Sequence, residues 1–517
     1  MILCYSAIQS WVATLRRQRS ANVFIVTLWR CIAMFFSRKV LIVVAAFIVA
    51  LISVYADTAS LLVLYTNDIH DYVKPGANGT GGLPYLSAYA AAMRAQRSDI
   101  VLLDGGDVME KGDMVAFKTK SRVVYEAMGR MGYTAGAVGN HDIDHGAEHL
   151  NECAKLANYA LLCLNHFDAS GNLVFPPSLI TEINNIRIGI LGMTNIRTSI
   201  KEDGKRLAAA AKEMKGKTHL LIVTAHIGSR ECAELAAMAP EVDLFVSAHT
   251  HEALHTPLVA PETGALIVQA GHYARYMGHL ELVVDLEGKE IIQHEGKLVL
   301  MDHDTMAPDQ EMLDWIAEVE RQVCPEATEI VGKAAQFINA QNMGALAAAA
   351  LREYGKADAA FCHSGRIIRS GLPPGDIDVN NLFRTGGQRG HELVAFTMTG
   401  SQMGAYLAGL VQKKRGKTEW AGFKSSLAYD SDTRLWTAIT DLEPDRQYHV
   451  IMPKKEWHER FQRVAQEHVA FEGFDSDAVS EVNFNFTQAL AAYARQITRQ
   501  GETLDAHVNA LLESRRP

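Results

Sequence analysis

Cysteine is scarce, with 7 residues in 517 and no Cys-x-x-Cys pair. Setting aside Cys4 and Cys31 near the start leaves Cys153, Cys163, Cys232, Cys324 and Cys362, which are scattered and odd in number. Neither a disulfide framework nor a zinc ribbon can be read from them, and buried free thiols are the expectation. No basic block offsets the formal net charge of −9, which argues against a general affinity for nucleic acid polymers. An anionic ligand therefore has to be held locally, by a metal or a few arginines. Internal repeats are absent, and short alanine runs, explained by helix propensity, are the nearest thing to low complexity.

Long apolar runs are missing except near the start. Ser37-Arg38-Lys39 precede Val40 to Val54, apolar but for Ser53, and Val54-Tyr55-Ala56 then offers small residues where a signal peptidase reads. A secretory signal cut after Ala56 is expected, giving a secreted or periplasmic protein. The run is short for a bilayer, which takes roughly 20 residues. Membrane association is expected only if residues 40–56 stay uncleaved as an anchor. A start at Met34 would give a signal of normal shape, so Met1 to Cys31 reads as an upstream extension.

What remains is ordinary globular composition, 48% hydrophobic and 21% charged. The length exceeds one hydrophobic core, so two domains are expected. Apolar runs alternate with helical stretches from Ser60 onward, an α/β pattern. Leu61 to Thr66, Ile100 to Leu103, Ala135 to Val138, Ala160 to Leu164, Ile186 to Leu191, Leu220 to Thr224 and Leu244 to Ser247 read as buried strands. Gly264 to Val268 and Gly278 to Val284 suggest a closing antiparallel pair. The expected division is a signal region over 1–56, a first domain over 57–302, a linker helix within 303–335 and a second domain over 336–517. The linker helix should start at Asp309, after Pro308, and run towards Gln322.

Five predicted strands end in residues that can bind a cation. They deliver Asn67-Asp68-Ile69-His70, Asp104-Gly105-Gly106-Asp107, Gly139-Asn140-His141-Asp142-Ile143-Asp144, Ala225-His226 and Ala248-His249-Thr250-His251. Any one could be a turn or a hydrogen-bonded histidine. Five together should converge, because the carboxyl ends of strands form the ligand crevice of an α/β sheet. Two divalent ions a few ångströms apart need a shared carboxylate, with imidazole and oxygen donors completing each shell. Asp107 is the candidate bridge. Imidazole mixed with hard oxygen donors suits Mn, Zn, Fe, Co or Ni, and the lack of cysteine ligands argues against structural zinc.

As an ordered set, Asn67-Asp68-x-His70, Gly105-Gly106-Asp107, Gly139-Asn140-His141-Asp-x-Asp144, Ala225-His226 and Ala-His249-x-His251 resemble the motifs of calcineurin-like metallophosphoesterases. More narrowly, they resemble the secreted 5′-nucleotidase and UDP-sugar hydrolase family. The resemblance implies an α/β fold, a four-layer β-sandwich flanked by helices with a smaller α/β C-terminal domain of 5′-nucleotidase type. It implies a first metal on Asp68, His70, Asp107 and His251, and a second on Asp107, Asn140, His226 and His249. His141 would face the phosphoryl group, oriented by Asp144. The implied reaction is hydrolysis of nucleotides or related small phosphate esters by a metal-bridging hydroxide. Two departures touch no ligand: Asp71 and Ala248 stand where the family often has glycine. His272 is expected beside the site without a metal role.

The C-terminal resemblance is looser. Arg366 and Arg369, in Cys362-His363-Ser364-Gly365-Arg366-Ile367-Ile368-Arg369, lie where the family binds substrate, and a planar guanidinium suits phosphate. Gly387-Gln388-Arg389-Gly390-His391 replaces the family's Pro-Phe-Gly-Asn segment. The aromatic clamp for a base would fall to Phe423 and Phe474. Two other functions stay open: a thiosulfohydrolase-like relative with another leaving group, and a non-catalytic surface binding protein. The sequence leaves the oligomeric state open.

Overall fold

The computed structural model describes residues 58–76, 79–195, 199–414 and 417–515. The expected signal segment, its cleavage site at Ala56, the start at Met34 and the anchor at 40–56 lie outside the described residues. Among those described, no helix is long and apolar enough to cross a membrane.

Side-chain alternation builds the layers. In β1 (Thr58–Thr66), Leu61, Val63 and Tyr65 enter one hydrophobic cluster while Leu62 and Leu64 enter another. A strand apolar at every position must be covered on both faces, since successive side chains point opposite ways. β2 (Ile100–Asp104) repeats this with Val101 and Leu103 on one side and Leu102 on the other. β3 (Ala135–Ala137) and β4 (Ala160–Leu162) extend the same sheet in parallel.

A second sheet takes β5 (Ser178–Ile183), β6 (Ile186–Met193), β7 (Leu220–Ala225), β8 (Leu244–Val246), β9 (Leu258–Val259) and β10 (Leu266–Val268). β11 (Tyr276–Asp285) and β12 (Glu290–Leu300) return to the first. The orders are β12-β11-β1-β2-β3-β4 and β5-β6-β7-β8-β10-β9. Ile186, Ile188 and Ile190 join Leu61, Val63 and Tyr65 between the sheets. Helices such as Leu83–Gln96 and Ile200–Lys215 cover the outer faces, giving four layers.

One expected pairing is corrected. The segments 264–268 and 278–284 do not pair: β10 lies parallel to β8, whereas β11 lies antiparallel to β1. The apolar spacing was the same for both, and the true partner, β12, is too exposed and polar to read as a strand.

Helix Gln310–Val323 is capped by Asp309, which accepts from the Met312 amide, and it buries Met312 and Ile316. The chain then forms β13 (Ile330–Ala334), β14 (Ala359–Ser364), β15 (Gly375–Asp378), β16 (Leu393–Thr399), β17 (Lys417–Ala421), β18 (Ser425–Asp430), β19 (Leu435–Thr440), β20 (Gln447–Pro453) and β21 (Ser480–Glu481). Five of these make a sheet in the order β17-β14-β20-β16-β21. Cys153, Cys163, Cys232, Cys324 and Cys362 are buried, and among the described residues no disulfide joins them.

The two halves share a buried seam. Arg384 donates through Nε to Asp113 Oδ1 at 2.6 Å and through Nη2 to Asp113 Oδ2 at 2.7 Å. Asn380 donates to the same carboxylate at 2.6 Å. Arg384 also reaches the carbonyls of Lys74 and Pro75. Phe117 packs on Phe383 across the same seam.

Candidate metal centre

All five strand ends meet. The loop after β1 carries Asp68 and His70, and Asn67 clamps it by donating to Gly271 O and accepting from Ala270 N, both at 2.6 Å. The loop after β2 carries Asp107. It lies so close to the 139–144 loop that a Cβ on Gly139 would stand 2.1 Å from Asp107 Oδ1. Only glycine fits there.

Asp142, given no role by its spacing, braces both loops. Its carboxylate accepts from the amides of Gly139 at 2.7 Å, Asp107 at 2.9 Å, Val108 at 2.8 Å and Met109 at 3.1 Å. Burial and the Asp107 charge nevertheless push its pKa up to about 6. Its only sequence signal is a carboxylate buried in a strand-end loop.

Two groups of donors result: Asp68, His70 and His251, and Asp107, His226 and His249. His70 Nε2 lies 3.3 Å from His251 Nε2, and His226 Nε2 lies 3.2 Å from His249 Nδ1. The far nitrogens of His70 and His226 face the carbonyls of Met109 and Gly105, each at 3.0 Å. Donating there turns each Nε2 lone pair inward, the arrangement that orients metal-binding imidazoles. Asp107 Oδ2 lies between the groups, 3.1 Å from His226 Nε2 and 3.7 Å from His70 Nε2. Among the described residues Asn140 Oδ1 is buried without a hydrogen-bond partner, and Asp68 Oδ1 has only imidazoles beside it, His251 Nε2 at 3.2 Å. Buried acceptors without donors are costly unless a cation meets them. The donor set fits divalent metal ions on these grounds.

The backbone is unusual here. Asp68, His70, Asp107, His249 and His251 all have positive φ, between 50° and 71°. Non-glycine residues adopt this left-handed conformation at a cost, and such residues gather at functional sites.

His141 stands beside the groups, its amide donating to Asp107 Oδ1 at 2.9 Å. Its Nδ1 faces Glu110 Oε2 at 2.8 Å and Asp144 Oδ2 at 3.6 Å. Asp144 was expected to orient His141, but the nearer and better buried carboxylate is Glu110. Burial disfavours the imidazolium, yet Asp144, Glu110 and Asp107 together outweigh it and lift the His141 pKa to about 9. Burial likewise opposes the Glu110 anion, and His141, Arg389 and Lys111 hold its pKa down at about 2. Arg389 Nη2 lies 3.0 Å from Glu110. The Gly387–His391 segment that departs from the family thus reaches the catalytic loop from the other half. Lys111 Nζ approaches His70 Nε2 at 3.0 Å. His272 stacks on His251 at 4.7 Å and, through burial and the His251 charge, has its pKa lowered to about 4.

Residues 61–253 match the calcineurin-like phosphoesterase family, and residues 326–454 match the 5′-nucleotidase C-terminal domain. Residues 61–253 therefore carry a calcineurin-like phosphoesterase domain. The chain is 26% identical over 343 residues to a snake venom 5′-nucleotidase of Gloydius brevicauda, covering 58% of this chain and 58% of that one. The chain therefore spans little more than half the length of that relative. A 5′-nucleotidase of Vibrio cholerae is 24% identical over 471 residues, covering 77% of this chain and 84% of its own. Among solved structures, the 5′-nucleotidase precursor of Thermus thermophilus superposes with a TM-score of 0.65 at 19% identity, over 85% of this chain and 97% of that one. That likeness is one of fold.

The expected substrate residues fare unevenly. Arg369 is exposed near the centre, where its charge acts on Lys111 and Tyr273. Its Nη1 donates to Gly365 O at 2.8 Å. Arg366 turns to Glu459 at 3.2 Å, an ion pair. The two rings expected to form a clamp, Phe423 and Phe474, each pack on neighbouring aromatics. Phe423 is buried against Phe361 and Trp420. Phe474 packs edge-on against Phe396 within a cluster that includes Trp457 and Phe461. Both rings serve the core, and among the described residues they make no ring contact with each other.

Proposed function

We propose that this chain is an exported phosphohydrolase that uses two divalent transition-metal ions to hydrolyse nucleotides or related small phosphate esters. The observation that carries the reading is the position of Asp107 Oδ2 between two imidazole groups, within 3.1 Å of His226 and 3.7 Å of His70. Asp68, His70, Asp107 and His251 would hold one ion, and Asp107, Asn140, His226 and His249 the other. Bound there, the ions would supply charge neutralisation and a water of lowered pKa.

The remaining groups act on the substrate. His141, held by Glu110 and Asp144, presents an imidazolium to phosphoryl oxygens as their charge builds. Arg369 offers a guanidinium suited to a phosphate or to a neighbouring anion of the substrate. Export is supported by the apolar residues Val40 to Val54 and the small residues at Val54 and Ala56. The test is a panel of AMP, UDP-glucose and bis-p-nitrophenyl phosphate on the chain loaded with Mn²⁺. Turnover of at least one is expected. Full metal loading with no hydrolysis of any would overturn the reading.

A further inference from the structure

One helix of the second half grips the loop that carries Glu110. Asn380, Arg384 and Gln388 recur at four-residue spacing, so they share a face of helix Val379–Gly386 and of the turn that continues it. Backbone bonds from Gly387 N to Phe383 O and from Gly390 N to Gly386 O carry that coil on past Arg389. The face meets the loop in reverse order. Asn380 Oδ1 accepts from Met114 N at 2.9 Å, Arg384 holds Asp113, and Gln388 Oε1 accepts from Lys111 N at 2.7 Å. Arg389, next along, reaches Glu110, its Nη2 lying 3.0 Å from Oε1 and 3.1 Å from Oε2.

The gripped turn is strained. Glu110 and Lys111 are consecutive non-glycine residues with φ of 73° and 93°. Such conformations persist only where the surroundings over-determine them. Asp71 supplies part of that support from the first half, accepting from Glu110 N at 2.7 Å. Gln388 and Arg389 add theirs from the second. The segment they stand on is backed closely, since a Cβ on Gly390 would lie 2.9 Å from the Phe486 ring. The Arg389 and Glu110 side chains are only 9% and 8% exposed, so their contact is shielded from water. Glu110 then turns to His141 Nδ1 at 2.8 Å.

We propose that Arg389 and Gln388 are positioning residues for the reaction: from the second half they fix the Glu110–Lys111 turn, so that Glu110 holds the His141 ring towards the phosphoryl group. On this assignment neither residue touches the substrate, and the reactive geometry of the first half is complete only with the second half docked on it. The effect on turnover rests on the phosphoesterase reading. The effect on the His141 ring rests on the geometry alone.

The test reads the ring and the reaction separately. In proton NMR of the full, Zn²⁺-loaded chain, the Nδ1 proton of His141, identified by its absence in His141→Gln, should resonate far downfield. It should move upfield or vanish in Arg389→Met and in Gln388→Met. With Mn²⁺ and whichever ester of the panel the wild type hydrolyses, Arg389→Met should lower kcat roughly tenfold and leave KM within about twofold. Arg389→Lys, which keeps the charge, should recover part of that loss. In the Glu110→Gln background Arg389→Met should change kcat by less than about twofold, because the group it acts through is already lost. A raised KM at unchanged kcat, equal losses in both backgrounds, or an undisturbed Nδ1 proton in both Met variants would overturn the proposal. An Nδ1 proton that responds as expected, with no hydrolysis of any ester, would overturn the phosphoesterase reading alone.

Discussion

Glu110 Oε2 lies 2.8 Å from His141 Nδ1, whereas Asp144 Oδ2 lies 3.6 Å away. The Asp144 side chain is 52% exposed and that of Glu110 8%. Water screens Asp144, so Glu110 should dominate in fixing the ring. Glu110→Gln is expected to lower kcat about tenfold or more at unchanged metal content, and Asp144→Asn to cost less. Kinetics at saturating substrate, with metal analysis of each variant, check the order.

His141 and Asp107 should separate cleanly. On the proposed reading, His141→Ala removes the group that would face the substrate and is expected to cost on the order of 10²–10⁴ in turnover. Its metal content should match the wild type. Asp107→Ala removes the shared carboxylate and should lose metal as well as activity. Elemental analysis after gel filtration decides, and retained metal with activity in Asp107→Ala would refute the bridge.

The Asp113 to Arg384 pair joins the halves inside a buried seam, with Asp113 fully buried. Removing one partner leaves the other charge stranded, a loss of about 3–5 kcal/mol. Arg384→Ala should therefore lower the urea midpoint clearly. Asp113→Leu combined with Arg384→Met, which strands no charge, should recover much of it.

Glu456 gives a pH dependence far from the metal centre. It is fully buried and accepts from His363 N at 2.7 Å, Tyr406 Oη at 2.9 Å and Thr418 Oγ1 at 3.1 Å. Burial outweighs these three donors and pushes its pKa from 4.5 up to about 7. Between those values the folded chain holds a proton that the unfolded chain has released, so stability falls as pH rises. The contribution is fully present below the unfolded value and lost through about 7. Urea midpoints at a series of pH values should fall less steeply from acid to neutral pH in Glu456→Gln than in the wild type.

Chelation should act on stability as well as on activity. Among the described residues Asn140 Oδ1 has no hydrogen-bond donor, so removing bound metal should lower the melting temperature, and Mn²⁺ should restore it. Differential scanning calorimetry with and without EDTA measures this.

The legible parts of the molecule were local ones. Strands such as Leu61 to Thr66 announce themselves by apolar runs, and the carboxyl-end rule then locates Asp68, Asp107, Asn140 and His249 without any long-range information. Helix Gln310–Val323 was readable from Pro308 and the Asp309 cap. Glu110 was not, because its partner His141 comes from a different strand end. The contacts of Asp113 with Arg384 and of Glu110 with Arg389 span most of the chain, and no periodicity encodes them. An aromatic beside glycine, such as Phe423 or Phe474, reads alike in a clamp and in a core.

The left-handed backbone at Asp68, His70, Asp107, His249 and His251 bears on how this centre can be lost. Glycine at any of them would relieve roughly 1–2 kcal/mol of local strain. It would also remove a donor that crowds its neighbours when no ion is present. A lineage selected for robustness alone, in a metal-poor habitat, would thus be drawn to give up its chemistry at these positions first.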